Sequence, residues 1–468
     1  MPAVLALLGD DLRVDDNRAL SAAAATGCDV ALLYVAEESA LPTGAPLWWL
    51  GAALDDLSAQ FEKHGAKLFA MKGSRHECVR GALRSLGAKT LFMNAGVDPA
   101  RDSLFAEALR GEGHEVHVFS QSLHDENLLD REGRGYRVFS AFHKASLKLD
   151  MRKPCGVTPA FSSVRHIPGA IPALGFAAHL EKGWTTRLSR YWEPTAAGLE
   201  ALLSLLPEKA RWYHEERDIP FRDGTTRLSP YLRFGQIDAA RLASILSELP
   251  ESPGREALLR QLHWREFARH SLLHHPSMTG EPLDPAFAAM RWRSDEAGLE
   301  AWKEGRTGFP IVDAGMRQLW KTGWMHNRVR MICASFLVKD LLVDWRKGAA
   351  WFMETLVDAD EASNALNWQW VAGSGPDAAP YFRVFNPRLQ GEKFDPDGYY
   401  VRKFVPELAF LPGEWIHDPL RASDEVLAEA GLTPGTCPKP IVDHAAARLR
   451  ALDAMRNARL EAGRGAAG

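Results

Sequence analysis

The first 125 residues alternate short apolar runs with stretches of helical periodicity, and no other feature of the chain constrains its fold as much. The runs VLALL (4–8), VALLYVA (30–36), KLFAMKG (67–73), TLFMNAG (90–96) and VHVFSQ (116–121) have the length and composition of buried strands. Between them, segments such as WLGAALDDLSAQFEKHG (49–65) and CVRGALRSLGA (78–88) carry helical spacing. Strands and helices in alternation predict an α/β domain over 1–125, a doubly wound parallel sheet. Such sheets take ligands at the carboxyl ends of their strands. The segment has no G-x-G-x-x-G and no Walker loop, so the pattern offers a site without naming its ligand.

The pattern weakens over 126–200. Pro154, Pro159, Pro168 and Pro172, with nearby glycines and serines, mark a long linker holding one helix near 138–149. Residues 201–450 read as an all-α domain, because ALLRQLHWREFARHSLLHH (257–275) and IVDAGMRQLW (311–320) place apolar residues three and four apart. Residues 451–468 form a C-terminal tail, an amphipathic helix ending in a Gly/Ala-rich stretch.

Composition narrows the function classes. No apolar run is long enough to span a bilayer, and MPAVLALLGDD lacks a basic leader, so it reads as a strand rather than a signal peptide. A cytoplasmic protein is expected. The five cysteines (Cys28, Cys78, Cys155, Cys333, Cys437) are odd in number and have no metal-ligand spacing, which fits reduced thiols. A net charge of −4 does not exclude nucleic acid, since a local basic face is enough. Fifteen tryptophans, most of them after residue 180, call for an explanation beyond core packing.

Three segments concentrate polar groups in the helical half. DGTTRLSPYLRFG (223–235) offers Thr225, Thr226 and Ser229 before a proline, which suits either a phosphate cradle or an ordinary helix cap. GWMHNRVRM (323–331) carries Asn327, Arg328 and Arg330 into an apolar helix, where the arginines need partners, whether structural or functional. LVDADEASNALNWQW (356–370) supplies Asp358 and Asp360, then Asn364, Asn367, Trp368 and Trp370. Carboxylates, amides and indoles together suit a planar heteroaromatic ligand.

At these residues the sequence resembles a known family. The runs TGFPIVDAGMRQLWKTGWMHNRVRMICASFLVKDLLVDWRKG (307–348) and DADEASNALNWQWVAGSGPDAAPYFRVFNPRLQGEKFDPDG (358–398) are similar to the photolyase/cryptochrome family. RDGTTRLSPYLRFG, LHWREFARH and DDLRVDDNRAL agree in order and spacing. The nearest type is the class I cyclobutane pyrimidine dimer photolyase. The resemblance implies an antenna-type α/β domain, a linker, and a helical domain that binds FAD, reduced in the active state. It assigns the flavin phosphate loop to Thr225, Thr226, Arg227, Leu228 and Ser229, and a flavin contact to Tyr213. Arg330 and Asp358 take the ion pair beside the flavin ring, with Asp360, Asn327, Gln261 and Arg265 in the same pocket and Asn364 facing N5. Trp368, Trp345 and Trp292 take the electron-carrying chain. On the DNA side, Trp264 and Trp370 clamp a flipped lesion, Met331 packs on it, and Lys144, Arg217, Arg328 and Arg383 contact backbone phosphates.

Several positions depart from the family pattern. Gln261 stands where dimer photolyases carry a glutamate, as in the (6-4) photolyases, although His326-Asn327 does not reproduce their histidine pair. NALNW replaces NNGGW, adding Leu366 and Asn367. At the antenna site Leu8, Gly9 and Asp10 replace a tryptophan and arginine pair, and Ala95 replaces an acidic residue that holds folate. A second chromophore is therefore open between a deazaflavin, another flavin and none. The expected function is light-driven repair of cyclobutane dimers in ultraviolet-damaged DNA by a monomer. The rivals are a cryptochrome-like photoreceptor, a (6-4) photolyase and a redox flavoenzyme. The absence of a nicotinamide fingerprint counts against the last, and an end soon after the last predicted helix counts against the first.

Overall fold

A computed structural model describes residues 3–124, 128–156, 160–173, 175, 184–376, 383–433 and 435–465. The chain forms two compact units. The first comprises residues 1–211, 226–274 and 357–362, and the second comprises 212–225, 275–356 and 363–468.

The first unit contains the sheet. Its strands are β1 (Ala3–Leu8), β2 (Asp29–Ala36), β3 (Leu68–Lys72), β4 (Thr90–Asn94), β5 (Glu115–Phe119) and β6 (Ile171–Pro172). Their order is β5-β4-β1-β2-β3-β6. The first five pair in parallel, with Ala6 beside Leu32 and Phe92, and β6 adds an antiparallel edge at Phe69 and Ala70. The five expected strands are present, and the sixth was not foreseen. It lies in the proline-rich connection, where Pro172 can sit only because an edge strand needs no donor there. Connecting helices begin at side-chain caps: Asn17 accepts from the Leu20 amide, Ser74 from Glu77, and Asp98 from Ala100 and Arg101 ahead of Pro99. Leu5, Leu33, Phe69, Leu91 and Met93 form the centre of the core under these helices.

The same unit takes in the helix Pro253–His274 and the turn around 226–238 through buried polar ties. Arg13 donates to Asp238, Gln121 and the Gly235 carbonyl, and Arg152 donates to Asp238 at 2.5 Å. Burial works to raise the Asp238 carboxyl, but the two guanidiniums hold it below its ordinary value. Gly235 has φ +62°, and a Cβ there would lie 2.1 Å from the Asp10 carbonyl oxygen, so only glycine allows this approach. The indole N–H of Trp49 donates to Gln236 at 2.8 Å.

The second unit is helical, with no strand among its described residues. Its principal helices are Glu296–Lys303, Pro310–Thr322, Asn327–Ser335, Trp345–Thr355, Glu361–Ala372 (from Ser363 onward), Pro387–Phe394 and His444–Gly465. Much of the long motif at 307–398 is scaffolding. Asp313, its carboxyl raised by burial, accepts from the Thr307 amide and hydroxyl and from the Gly308 amide, closing the TGFP turn. Asp395 accepts from the Tyr400 and Val401 amides and closes FDPDGYY in the same way. Gln318 accepts from the His326 amide and the Tyr400 hydroxyl. No helix among the described residues is long and apolar enough to cross a membrane.

Candidate flavin and DNA site

In the first unit, the phosphate-loop candidates Thr226, Arg227, Leu228 and Ser229 form a tight turn into the short helix Ser229–Arg233. Arg227 has φ +54°, a left-handed conformation that a non-glycine residue holds only at a cost. The Ser229 hydroxyl donates to Asp358 at 2.7 Å, so the loop and the carboxylate assigned to the flavin ring are joined directly. Arg233, on the same turn, donates to the Ala359 carbonyl and to Asp10 at 2.6 Å, and the charge of the buried Asp360 acts on it as well.

Trp264, Gln261 and Arg265 project from the helix Pro253–His274. Trp264 is stacked on Phe139, with centroids 3.6 Å apart and planes 8° apart. Phe139 was not foreseen; it opens the linker helix Phe139–Ser146, which also carries the exposed Lys144. Arg260 lies over the Phe139 ring at 5.2 Å. A stacked support fixes the plane of a clamp indole, and a clamp needs only one face for its substrate. The Gln261 amide makes one long bond, 3.4 Å, to the Ala257 carbonyl of its own helix. Arg265 donates to Glu266 at 2.9 Å, and Glu266 in turn accepts from the Leu123 amide.

In the second unit, Tyr213, Arg217 and Arg328 gather at Asp218, which sequence reasoning had passed over. Arg328 donates to Asp218 at 2.9 Å, the Arg217 Nε is 3.9 Å from the same oxygen, and Arg217 lies 5.4 Å from the Tyr213 ring centre. Arg328 also lies over Phe394 at 4.5 Å and reaches the Met331 sulfur at 3.8 Å. Asn327 opens its helix behind the cap residue His326, whose ring accepts from the Arg328 amide. Burial pushes His326 down to about 4, so the ring is neutral near pH 7. Arg330 donates to the Met325 carbonyl at 2.8 Å. Arg383 is exposed, and its carbonyl accepts from the buried Lys339.

Asn364 and Trp368 sit on the helix Glu361–Ala372. Asn364 donates to the Ala349 carbonyl at 3.1 Å. An amide nitrogen carries two hydrogens, so this bond orients the side chain and leaves one for a ligand acceptor. Leu366 is buried, whereas Asn367 is exposed and bonded to Ser363 of its own helix. Trp370 is half-buried on the same helix. Trp368 is fully enclosed, as is Trp345, while Trp292 is half-buried against Met290, Leu342, Ala451 and Ala458. Burial thus falls from Trp368 to Trp292 as an inside-to-surface chain requires. Thr225 also belongs to this unit.

These elements match known proteins throughout. Residues 258–457 match a family model described as the FAD binding domain of DNA photolyase, and residues 4–160 match one described as DNA photolyase. A deoxyribodipyrimidine photo-lyase of Agrobacterium fabrum is 44% identical over 95% of both chains. This chain belongs to the DNA photolyase family. It is an enzyme of the photolyase type with FAD as its cofactor. Photolyases and cryptochromes are both close: cryptochrome-1 of Arabidopsis thaliana is 35% identical over 94% of this chain and 68% of its own. Among solved structures, a bacterial class III photolyase from Agrobacterium tumefaciens superposes at a TM-score of 0.93, with 42% identity over 98% of each chain. An archaeal photolyase from Sulfolobus tokodaii, described with two FAD molecules and a novel light-harvesting cofactor, superposes at 0.82 with 29% identity over 97% of this chain and all of that one. The expected class I label finds no support in these likenesses, whereas the antenna-type sheet domain and helical FAD-binding domain agree with them.

The antenna end of the photolyase sheet is filled by its own side chains. Asp10 pairs with Arg233 and accepts from the Val97 amide at 3.1 Å, while Asp11 accepts from Asn94 and Asn17. Burial works to raise Asp10, but Arg233 holds it below its ordinary value; Asp11, without so direct a cation, is raised by burial. Ala95 uses its carbonyl to accept from Gln121.

Proposed function

We propose that this protein splits cyclobutane pyrimidine dimers in DNA under blue light, as a photolyase of the class III type. The observation that carries the reading is the agreement with the class III structure over nearly the whole of both chains, at 42% identity. FAD, when bound, would supply the chemistry, a light-driven one-electron exchange with the lesion, and the residues named below would hold it.

The chain's own residues bind, orient and insulate. The turn Thr225–Ser229 holds the flavin phosphates through hydroxyls and amides, with Ser229 linked to Asp358. Asp358 of the first unit and Arg330 of the second would serve the flavin ring, and Asn364, oriented by the Ala349 carbonyl, would have its second hydrogen free to donate to it. Trp264, braced by Phe139, and Trp370 hold the extruded lesion, whose weakened stacking lowers the cost of flipping. Gln261 donates its amide to a pyrimidine carbonyl, stabilising added charge without transferring a proton. Lys144, Arg217, Arg328 and Arg383 position the DNA backbone and carry no sequence information. The residues at the antenna end bear on a second chromophore: with Asp10 and Asp11 committed to internal partners, one bound there would rely on backbone and apolar contacts.

The test is illumination of purified protein, flavin fully reduced, with duplexes carrying one defined lesion. Loss of cyclobutane dimers is expected. Repair of (6-4) lesions alone would give the substrate to the other lesion class, and no repair of either would favour a cryptochrome-like receptor.

A further inference from the structure

Trp292 is half-buried where the helix His444–Gly465 meets the segment after the turn Pro285–Ala289. It shares an apolar cluster with Ala451, Ala454 and Ala458, three residues on one face of that helix. The helix side chains are thus at their smallest beside the indole. The same face borders a cavity of about 530 Å³, lined by Ala454 and Ala458 with Arg291, Arg450, Asn457 and Glu461. That volume suits a small molecule. Ala454 and Ala458 belong both to the cavity wall and to the cluster around the indole, so a ligand resting on their methyl groups lies close to the ring.

The charges in the wall are unequally matched. Arg291 pairs with Glu461 at 2.8 Å, and the neighbouring Asp453 pairs with Arg456 at 3.1 Å. Arg450 donates to the Asp340 carbonyl at 2.6 Å, and its Nε is buried without a hydrogen-bond partner. No carboxylate pairs with it among the described residues. Burial and the neighbouring Arg293 hold its guanidinium below the ordinary value, against the weaker pull of Asp340 and Asp295. A guanidinium in this position favours a carboxylate ligand, and the exposed Asn457 adds an amide donor.

We infer that this cavity is a docking site for a small thiol bearing a carboxylate, and that the docked thiolate refills Trp292. The inference rests on Trp292 as the outer end of the electron chain, and goes beyond it to the source of the electrons. After light has moved one electron inward to the flavin, the oxidised Trp292 loses its indole proton to water. The thiolate gives Trp292 one electron and becomes a thiyl radical, the indole takes a proton back from water, and two thiyl radicals couple to a disulfide. Arg450 binds the carboxylate of the thiol and, by its charge, favours the thiolate form.

The test uses the full-length FAD-loaded protein without DNA, and follows the decay of the Trp292 radical after a flash. The probes are mercaptoacetate and 2-mercaptoethanol, compared at equal thiolate concentration. The decay rate should saturate with mercaptoacetate and rise linearly with 2-mercaptoethanol. Acetate should slow the first reaction and leave the second alone. Arg450→Met should make the mercaptoacetate dependence linear and lower the rate at low thiol about tenfold, the worth of one charge-assisted hydrogen bond. Because Arg450 also ties down the Asp340 carbonyl, Asn457→Phe gives an independent version: it fills the cavity from an exposed position and should abolish saturation too. A linear dependence on mercaptoacetate in wild type, or saturation that survives in either variant, would overturn the docking site. A radical signal left unchanged by Trp292→Phe would instead overturn the electron-chain reading on which it rests.

Discussion

The carboxyl edge of the sheet and the indole cluster around Trp368 are both places where this fold can handle light, and they are built in opposite ways. At the sheet edge, Arg233 pairs with Asp10, and Asn17 and Asn94 donate to the neighbouring Asp11, in largely buried polar contacts. Around Trp368, Trp302 and Phe352 make ring contacts, and the Trp302 indole N–H donates to a carbonyl. The first arrangement fixes structure by hydrogen bonds, each dependent on its partner. The second fixes it by shape, and leaves the rings close enough to exchange electrons. A chain can therefore keep the antenna-domain topology while spending its ligand edge on stability.

The sharpest break of this contrast is Arg233→Met. It strands Asp10, whose side chain keeps some exposure, so the expected loss is about 1–3 kcal/mol. Urea unfolding should show that loss, and the double variant Asp10→Leu/Arg233→Met should recover most of it. If the single variant is neutral, the sheet edge is not held by its charges.

The corresponding test of the aromatic side is Gly348→Ala. A Cβ at Gly348 would lie 2.2 Å from the Trp368 ring. Overpacking of this kind costs about 1–3 kcal/mol. Light-driven flavin reduction should fall along with the melting temperature, because Trp368 must move; reduction at the wild-type rate would show that the ring has slack.

How far these regions could be read from sequence follows the same division. The five parallel strands were legible because apolar runs between helical patterns have few other solutions, and the helix at 139–146 lay inside its expected range. The two-residue β6 was not, since Ile171 and Pro172 have no strand periodicity. The motif residues could be named by resemblance, yet their partners could not. Phe139 under Trp264, Asp218 between Arg217 and Arg328, and Trp302 against Trp368 lie in ordinary-looking segments and meet their partners only through tertiary packing. Asp10 could be seen as a departure at the antenna site, but its arginine lies 223 residues away.

Lys339 is a smaller test, a buried polar group set in the apolar helical unit. Burial pushes it down to about 7 from an ordinary 10.5. The unfolded chain therefore holds a proton between those values that the folded chain has released, and stability should rise with pH across the window. Lys339→Met should flatten the rise, as read from urea midpoints at its two ends. The slightest effect is expected at Asp218→Asn, which removes one negative charge from beside Arg217 and Arg328. Binding to undamaged DNA should tighten modestly, with a salt slope steeper by about one released counterion.

The central claim is that the flavin acts on the lesion while the tryptophans only keep it reduced. It is tested most directly by chemically reducing wild type and Trp368→Phe in the dark, then counting cyclobutane dimers split per flash. Equal yields are predicted, with light-driven reduction lost in the variant alone. No dimer splitting by reduced wild type, or splitting that fails in reduced Trp368→Phe, would contradict it.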